Sequence, residues 1–362
     1  MNELTRKMRS IGQSLWLDNL SRDIIESGEL KSLLDLGITG ITSNPSIFEN
    51  SLGSDSYDKQ INDILDTSDT VKVYEDLVCK DISDASDILL PIFNETNGED
   101  GYVSLEVSPL IGYDTKATIE EAKYLFYRLN KPNVLIKVPA TSEGILAIEE
   151  LIFAGVNINV TLIFSVEQYK NVQNAYINGL KRRIEKGLDV SHIYSVASFF
   201  ISRIDTVIDT LLDTYKHDSS HLLGRIAVAN AKVAYDEFNK TFSTPEFMSD
   251  NMKGARVQRL LWGSTSAKNP NYSDLLYVDS LIGNFTINTM PQITFEAFID
   301  HGKADNTIQT YLDEAKSSLN QLPDFNINLD QITDKLLVDG VNQFANSFTN
   351  LLSSLEAKLG VK

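Results

Sequence analysis

Eight short apolar runs, each followed by a segment with helical spacing, restrict this chain to a few folds. The runs lie at residues 15–18, 38–45, 102–109, 133–139, 156–164, 194–200, 257–263 and 285–291. Strands that alternate with helices form parallel sheets, and eight such units close into a barrel. We therefore predict an α/β chain folded as a single (β/α)8 TIM barrel. A doubly wound open sheet is the alternative, but the glycines form neither a phosphate loop nor a dinucleotide fingerprint.

Helical segments flank the predicted barrel, whose strands and helices span about residues 15–300. Residues 1–14 favour a lead-in helix, and residues 303–362 favour a C-terminal helical extension packed on the barrel. No linker, repeat or low-complexity tract divides the chain. We therefore expect residues 1–362 to form one barrel domain with additional N- and C-terminal helices.

Several helix ends carry capping signals. The spacing predicts one amphipathic helix over Arg22–Leu36, ended by a glycine. Thr118 and Glu121 have the spacing of a capping box at the start of another helix. Ser165 and Gln168 repeat that spacing after the fifth strand.

Composition limits which binding partners and which cellular compartment we expect for this chain. The chain has 50 acidic and 32 basic residues, a net charge of −18 and no basic run, so nucleic acid is not an expected partner. No apolar run is long enough to span a membrane. The single cysteine, Cys79, cannot form an internal disulfide, which favours a reducing compartment. We expect a cytoplasmic monomer or homodimer.

The fourth strand contains a lysine inside an apolar run. Strict alternation places Lys137 and Leu135 on one face, opposite Val134, Ile136 and Val138. A buried ammonium is strongly disfavoured unless it is paired or neutral. Lys137 is therefore either an edge residue that faces water or a neutral amine that attacks a carbonyl to form a Schiff base.

Polar, uncharged faces on the neighbouring strands favour the second interpretation. Such a face suits a barrel interior near the ligand-binding end, where parallel strands bring their C-terminal ends together. The fifth strand shows this pattern most clearly, and the third and sixth strands repeat it. The groups expected to converge are those of Lys137, Asp18, Glu106, Asn44, Asn159, Thr161 and Ser198.

Six segments, in order along the chain, together resemble the transaldolase family. They are Leu17-Asp18 and residues 42–46, 103–107, 135–141, 157–165 and 198–203. No single segment is decisive, but the ordered set is specific. The resemblance implies a (β/α) barrel enzyme with a Schiff-base lysine on the fourth strand and no metal or other cofactor. It also implies transfer of a dihydroxyacetone unit between sugar phosphates in the pentose phosphate pathway.

The resemblance implies a role for each matching residue. Lys137 matches the imine-forming lysine, and Asp18 matches the acid/base that takes the proton from the C4 hydroxyl during cleavage. Glu106 and Thr161 match the pair that moves protons through a water while the carbinolamine dehydrates. An imine suits this reaction because it accepts the electrons left by carbon–carbon cleavage.

Further matches concern substrate binding. Asn44 and Asn159 match amides that hold the donor hydroxyls and the dihydroxyacetone moiety. Ser198 matches a hydroxyl ligand, Phe200 a packing neighbour and Arg203 an anchor for the phosphate. Many relatives have a second phosphate-binding arginine after the seventh strand, whereas residues 262–270 contain none. We expect Lys268, with Ser264 or Thr265, to take that part, as in a longer-chain branch of the family.

Three alternatives remain. A fructose 6-phosphate aldolase would release free dihydroxyacetone, and a non-catalytic barrel would only bind sugar phosphates. A metal-dependent aldolase would need ligands such as His217 and His221, which are four residues apart. These two histidines lie in a polar connector without a supporting acid, so we predict no metal there.

Overall fold

The computed structural model describes residues 2–64, 69–249, 252 and 254–359, without the side chains of residues 216–218. Within this part of the chain, eight parallel strands pair in sequence order and the first pairs with the last, which closes a barrel. The predicted (β/α)8 barrel is confirmed. The strands are β1 (Gln13–Asp18), β2 (Gly40–Thr42), β3 (Val103–Glu106), β4 (Val134–Pro139), β5 (Ile158–Ile163), β6 (Ser195–Phe200), β7 (Arg259–Gly263) and β8 (Thr286–Met290).

Helices surround the barrel and extend beyond it at both ends of the chain. They are α1 (Glu3–Ile11), α2 (Arg22–Glu26), α3 (Glu29–Leu36), α4 (Pro45–Ser51), α5 (Asp58–Asp63), α6 (Thr70–Glu95), α7 (Thr115–Leu129), α8 (Ser142–Ala154), α9 (Val166–Glu185), α10 (Ser202–Leu212), α11 (Ile226–Phe242), α12 (Leu276–Ser280), α13 (Gln292–His301), α14 (Leu312–Asn320) and α15 (Leu329–Leu359). None of these helices is long and apolar enough to cross a bilayer. The side chain of His217 lies outside the described residues.

Two of the predicted helix boundaries are wrong. The segment Arg22–Leu36 forms two helices, because Gly28 has a φ of +80° and breaks the first helix from the second. Helix α7 begins one turn earlier than predicted, since Asp114 caps it and accepts from the Ala117 N–H. Glu121 accepts a hydrogen bond from the Ser108 N–H at 2.7 Å instead of completing a capping box.

The N-terminal end of the barrel is filled by aromatic side chains. Tyr102 and Tyr194 stack with ring centroids 4.3 Å apart, and Trp16 packs beside them. Trp16 requires glycine at position 40, because a Cβ there would lie 2.4 Å from its ring. Arg259 closes this end by donating to the Ser14 hydroxyl and the Thr286 carbonyl. These aromatic and arginine side chains leave the opposite end of the barrel open for a pocket.

The fifth strand departs from strict alternation near its C-terminal end. The β5–β6 pairing changes register between Val160 and Ile163, and Leu162 has a φ of +59°. A left-handed conformation is uncommon for leucine and typical of sites where surrounding packing imposes it. Helix α15 supplies that packing, because its Gly340 lies so close to Leu162 that a Cβ would be 2.9 Å from the leucine side chain.

Helix α15 crosses the C-terminal end of the barrel. The Ser347 hydroxyl lies 2.8 Å from the Ser46 hydroxyl on α4, and Phe348 packs edge-on against Tyr74 of α6. Phe344 is buried between these contacts and the barrel. The C-terminal extension therefore forms one wall of whatever site lies at that end.

Candidate active site

A pocket at the C-terminal ends of the strands brings together most of the predicted site residues. We call it the mouth pocket. The predicted residues that line it are Asp18, Asn44, Lys137, Thr161, Ser198, Phe200, Arg203, Ser264 and Lys268. Glu106 and Asn159 lie next to it without lining it. In the described part of the chain, no group of three His, Cys, Asp or Glu residues is arranged to hold a metal ion.

Lys137 points into the barrel and is only 4% exposed. Its Nζ lies 3.1 Å from Oε2 of Glu106 and donates to the Ser43 carbonyl at 2.9 Å. The ring of Phe344 lies with its centroid 6.0 Å from the same nitrogen. The amine therefore faces a carboxylate, not bulk water, and the alternative of an exposed edge lysine is wrong.

Glu106 is positioned by the sheet, because parallel pairing sets it opposite Lys137, which in turn pairs with Asn159. Burial raises the pKa of Glu106, while the charge of Lys137 partly opposes the shift. Among the described residues, its Oε2 has no aligned hydrogen bond, and neither does the buried hydroxyl of Thr161. Buried polar groups usually have partners, so these two are available to a ligand or a water.

Asp18 ends β1 and faces the same space. Its Oδ1 accepts from the Thr42 hydroxyl at 2.8 Å. Burial raises the pKa of Asp18, and the charges of Lys137, Arg203 and Lys268 oppose that rise. A carboxyl with a raised pKa is a stronger base than an exposed aspartate and can both accept and return a proton.

The two predicted amide side chains differ in which hydrogen-bonding groups remain available to a ligand. Asn44 lines the mouth pocket, and its Oδ1 caps α4 by accepting from the Ile47 N–H at 3.0 Å. Asn159 is fully buried, donates to the Ser104 hydroxyl and accepts from the Ser198 hydroxyl. Asn44 therefore keeps its NH2 group for a ligand, whereas Asn159 fixes Ser198 from behind.

Two cations border the outer part of the mouth pocket. Arg203 has no hydrogen bond or ion pair with any described residue, and its guanidinium lies 5.4 Å from the centroid of the Phe200 ring. Burial lowers the pKa of Arg203, and nearby Asp18 opposes this. Lys268 lies on the same pocket. Two cations in a polar cleft favour binding of an anion such as a phosphate.

The segment after β7 separates the two hydroxyls offered as partners of Lys268. Ser264 lines the mouth pocket in a left-handed conformation, with a φ of +55°, and its Oγ lies 2.9 Å from that of Ser202. Thr265 instead turns into the protein and donates to Asn288 at 2.8 Å. Of the two, only Ser264 can reach a ligand in this pocket.

Comparisons with known proteins agree with this arrangement. A sequence profile described as transaldolase/fructose-6-phosphate aldolase matches residues 15–355. The chain belongs to this family. A protein named Transaldolase from Trichodesmium erythraeum is 48% identical, over 98% of this chain and 97% of the relative. Transaldolase 2 from a Nostoc species is 46% identical over 98% and 97%, and Transaldolase from Thiobacillus denitrificans is 44% identical over 97% and 99%.

The resemblance to transaldolases drawn from the six segments is thus confirmed. In this member of the transaldolase/fructose-6-phosphate aldolase family, the mouth pocket also contains residues that sequence reasoning missed. They are Thr42, Ser46, Leu261, Gly263, Ser266, Thr289, Pro291, Gln343 and Phe344. Thr42 and Thr289 carried a signal, because both lie near the C-terminal ends of predicted strands. Gln343 and Phe344 carried none, since a helical pattern does not indicate which surface a helix covers.

Proposed function

We propose that this protein is a transaldolase that works through a Schiff base on Lys137. It would move a dihydroxyacetone unit reversibly from sedoheptulose 7-phosphate or fructose 6-phosphate to glyceraldehyde 3-phosphate or erythrose 4-phosphate. That reaction belongs to the non-oxidative pentose phosphate pathway. The observation that carries the proposal is a buried lysine paired with Glu106 at 3.1 Å inside a closed barrel. The names of the relatives support it.

Imine formation needs a neutral amine and an acid. Glu106 is close enough to take a proton from Lys137, and burial raises the pKa of Glu106, which favours its protonated form. The free amine can then attack the C2 carbonyl of the ketose. Glu106 returns the proton to the departing hydroxyl through a bridging water, which the Thr161 hydroxyl can hold because it has no partner among the described residues.

Cleavage needs a base on the other side of the sugar. Asp18 is our candidate because it faces the mouth pocket and burial raises its pKa. It takes the proton from the C4 hydroxyl, the C3–C4 bond breaks, and the electrons pass into the iminium to give an enamine. The aldose then leaves and a second aldose is attacked by the enamine, with Asp18 returning the proton.

Substrate binding is assigned by chemistry. Arg203 and Lys268, with the Ser264 hydroxyl, suit the terminal phosphate because charged donors form strong hydrogen bonds to phosphate oxygens. Asn44 and Ser198 suit hydroxyls of the sugar, and Asn159 orients Ser198. Phe200 supports Arg203.

We further infer that the chain acts as one barrel domain in the cytoplasm, as a monomer or a homodimer. Its single cysteine, Cys79, is a buried free thiol, which fits a reducing compartment. Helix α15 supports the one-domain assignment because it supplies Gln343 and Phe344 to the mouth pocket.

Two rivals are a fructose 6-phosphate aldolase and a non-catalytic binding barrel. The decisive assay supplies fructose 6-phosphate with and without erythrose 4-phosphate and measures sedoheptulose 7-phosphate and free dihydroxyacetone. A transaldolase forms the heptulose with little free dihydroxyacetone. Dihydroxyacetone released in step with fructose 6-phosphate consumption would establish the aldolase, and no turnover would favour the binding barrel. Lys137→Met is the matched control and is expected to form neither product.

A further inference from the structure

A second cavity, of about 230 Å³, adjoins Glu106 and is distinct from the mouth pocket. We call it the side cavity. It lies among β3, α6, α7 and α15, and its polar lining includes Tyr74, Glu106, Ser108 and Glu121. Leu110, which is 60% exposed, lies at its outer rim. Its volume is far larger than a single water requires. The proposed chemistry described above does not use it.

Glu106 lines the side cavity and lies next to the mouth pocket. Its Oε2 faces the reacting amine of Lys137 at 3.1 Å, and the same side chain forms part of the wall of the side cavity. The mouth pocket would be filled by a sugar phosphate when the imine forms. The side cavity then remains next to the group that handles the expelled hydroxyl.

Tyr74 shows that the side cavity suits a polar guest. Its side chain is only 8% exposed, and its hydroxyl has no hydrogen bond with any described residue. Tyr74 lines the side cavity, so a polar guest there can supply a partner for this hydroxyl. Burial raises the pKa of Tyr74, and the charges of Glu121 and Glu106 add to the rise, so the hydroxyl lies within the field of both carboxylates.

Glu121 is a further polar group that lines the side cavity, in addition to Tyr74 and Glu106. Its Oε1 accepts from the Ser108 N–H at 2.7 Å, which holds the carboxyl in place beside β3. Burial raises the pKa of Glu121. A hydroxyl and two carboxyl groups around one space offer both donors and acceptors, which is what a bound water needs.

We propose that the side cavity receives the water expelled when the Lys137 imine forms and returns it when the imine is hydrolysed. This inference rests on the proposed function. In the step concerned, the C2–O bond of the carbinolamine breaks and Glu106 gives its proton to the departing hydroxyl. The nitrogen lone pair forms the C=N bond, which leaves a water, an iminium and a Glu106 carboxylate. Tyr74 and Glu121 are positioning residues that hold this water.

Oxygen exchange tests the proposal. Fructose 6-phosphate labelled with ¹⁸O at C2 is incubated with the full-length enzyme in unlabelled water without an acceptor. Loss of label is compared with formation of the borohydride-trapped adduct on Lys137. A water that moves to the side cavity can exchange with solvent, so the wild-type enzyme should lose label at each imine-forming event. Absence of both adduct and label loss would reject the proposed function and this inference together.

Two variants separate the inference from the proposed function. Leu110→Trp narrows the outer rim, so the expelled water should return to C2 more often and label loss per adduct should fall several-fold. Tyr74→Phe removes one hydrogen bond to the water and should lower kcat about fivefold with KM unchanged. Glu121→Gln, which still accepts from Ser108, should act in the same direction as Tyr74→Phe.

Matched controls use similar changes away from the side cavity. Leu146→Trp alters an exposed leucine on α8, and Tyr235→Phe removes the hydroxyl of a buried tyrosine that donates to the Asn284 carbonyl. Both controls should match the wild type in kcat and in label loss. If Leu110→Trp and Tyr74→Phe also match it while the Lys137 adduct forms normally, the side cavity has no part in the reaction and the inference is overturned.

Discussion

Two buried ion pairs in this protein differ in how completely they are hydrogen-bonded. Arg22–Asp81 and Lys137–Glu106 are almost equally hidden, with side chains 5% and 0% exposed in the first pair and 5% and 4% exposed in the second. Asp81 Oδ1 accepts twice from the Arg22 guanidinium, at 2.8 and 2.9 Å, and Oδ2 accepts from Tyr57 at 2.7 Å. The arginine also lies 4.4 Å from the centroid of the Tyr57 ring.

The pair at the mouth pocket is left incomplete. Glu106 Oε2 has no aligned hydrogen bond, and the neighbouring Thr161 hydroxyl has no partner among the described residues. A lysine also offers a point charge, whereas arginine offers a planar fork that matches a carboxylate. The comparison teaches that a saturated buried pair stabilises one geometry, while an incomplete pair can exchange protons and accept a substrate.

The largest expected effect comes from removing the reactive amine. Lys137→Met should lower turnover on the order of 10⁴-fold or more, because no covalent intermediate can form. Its free energy of unfolding should fall by at most about 2 kcal/mol, since Glu106 loses a contact that was not an aligned hydrogen bond. Turnover and chemical denaturation measure the two quantities. A collapse of stability without a specific loss of turnover would contradict the assignment.

The next effect separates the roles of Asp18 and Glu106. Asp18→Asn keeps an acceptor for Thr42 but removes the base for cleavage, so turnover should fall roughly 10²- to 10⁴-fold while the trapped adduct still forms. Glu106→Gln should instead slow formation of the adduct itself. Single-turnover trapping distinguishes these results. Normal turnover in Asp18→Asn would remove this residue from the mechanism.

At the Arg22–Asp81 pair we expect a loss of stability without a loss of turnover. Arg22→Met should lower the free energy of unfolding by about 3–5 kcal/mol, because it leaves the Asp81 charge buried without its partner. The kcat of the folded fraction should remain close to the wild-type value. Adding Asp81→Leu should restore much of the stability, because no buried charge is then left uncompensated. Denaturation curves measure the stability of both variants, and active-site titration measures the kcat of the folded fraction. A stable but inactive Arg22→Met would contradict the distinction between the two pairs.

A smaller effect is expected at the rim. Lys268→Met should raise KM for the phosphorylated ketose about tenfold, the loss expected for one charge-assisted hydrogen bond. Its charge also opposes the rise in the pKa of Asp18, so its removal should raise that pKa further. Activity needs the Asp18 carboxylate, so activity is lost as the pH falls through the pKa of Asp18. In Lys268→Met the acidic limb of kcat should therefore move to higher pH. Lys170→Met, a control on α9 that does not line the mouth pocket, should leave KM and the acidic limb unchanged.

The sequence predicted the barrel well because strand signals are local. The run at residues 133–139 became β4 at Val134–Pro139, and alternation placed Lys137 inside the barrel. The C-terminal ends of parallel strands must meet, which is why residues far apart in the chain could be assigned to one pocket from their positions on the strands alone.

Other features could not be read in this way because they depend on tertiary packing. Gln343 and Phe344 reach the mouth pocket only because α15 crosses the barrel. The conformation of Leu162 depends on Gly340 of the same helix. Nothing in the local sequence indicated that Arg22 and Asp81, on different helices, would form a buried pair.

Covalent trapping tests the central claim most directly. The enzyme is mixed with fructose 6-phosphate, reduced with borohydride, digested and mapped by mass spectrometry. The account predicts one stable three-carbon or six-carbon adduct on Lys137, absent from Lys137→Met and present in Arg22→Met. An adduct on a different lysine, or none in the wild-type protein, would contradict it.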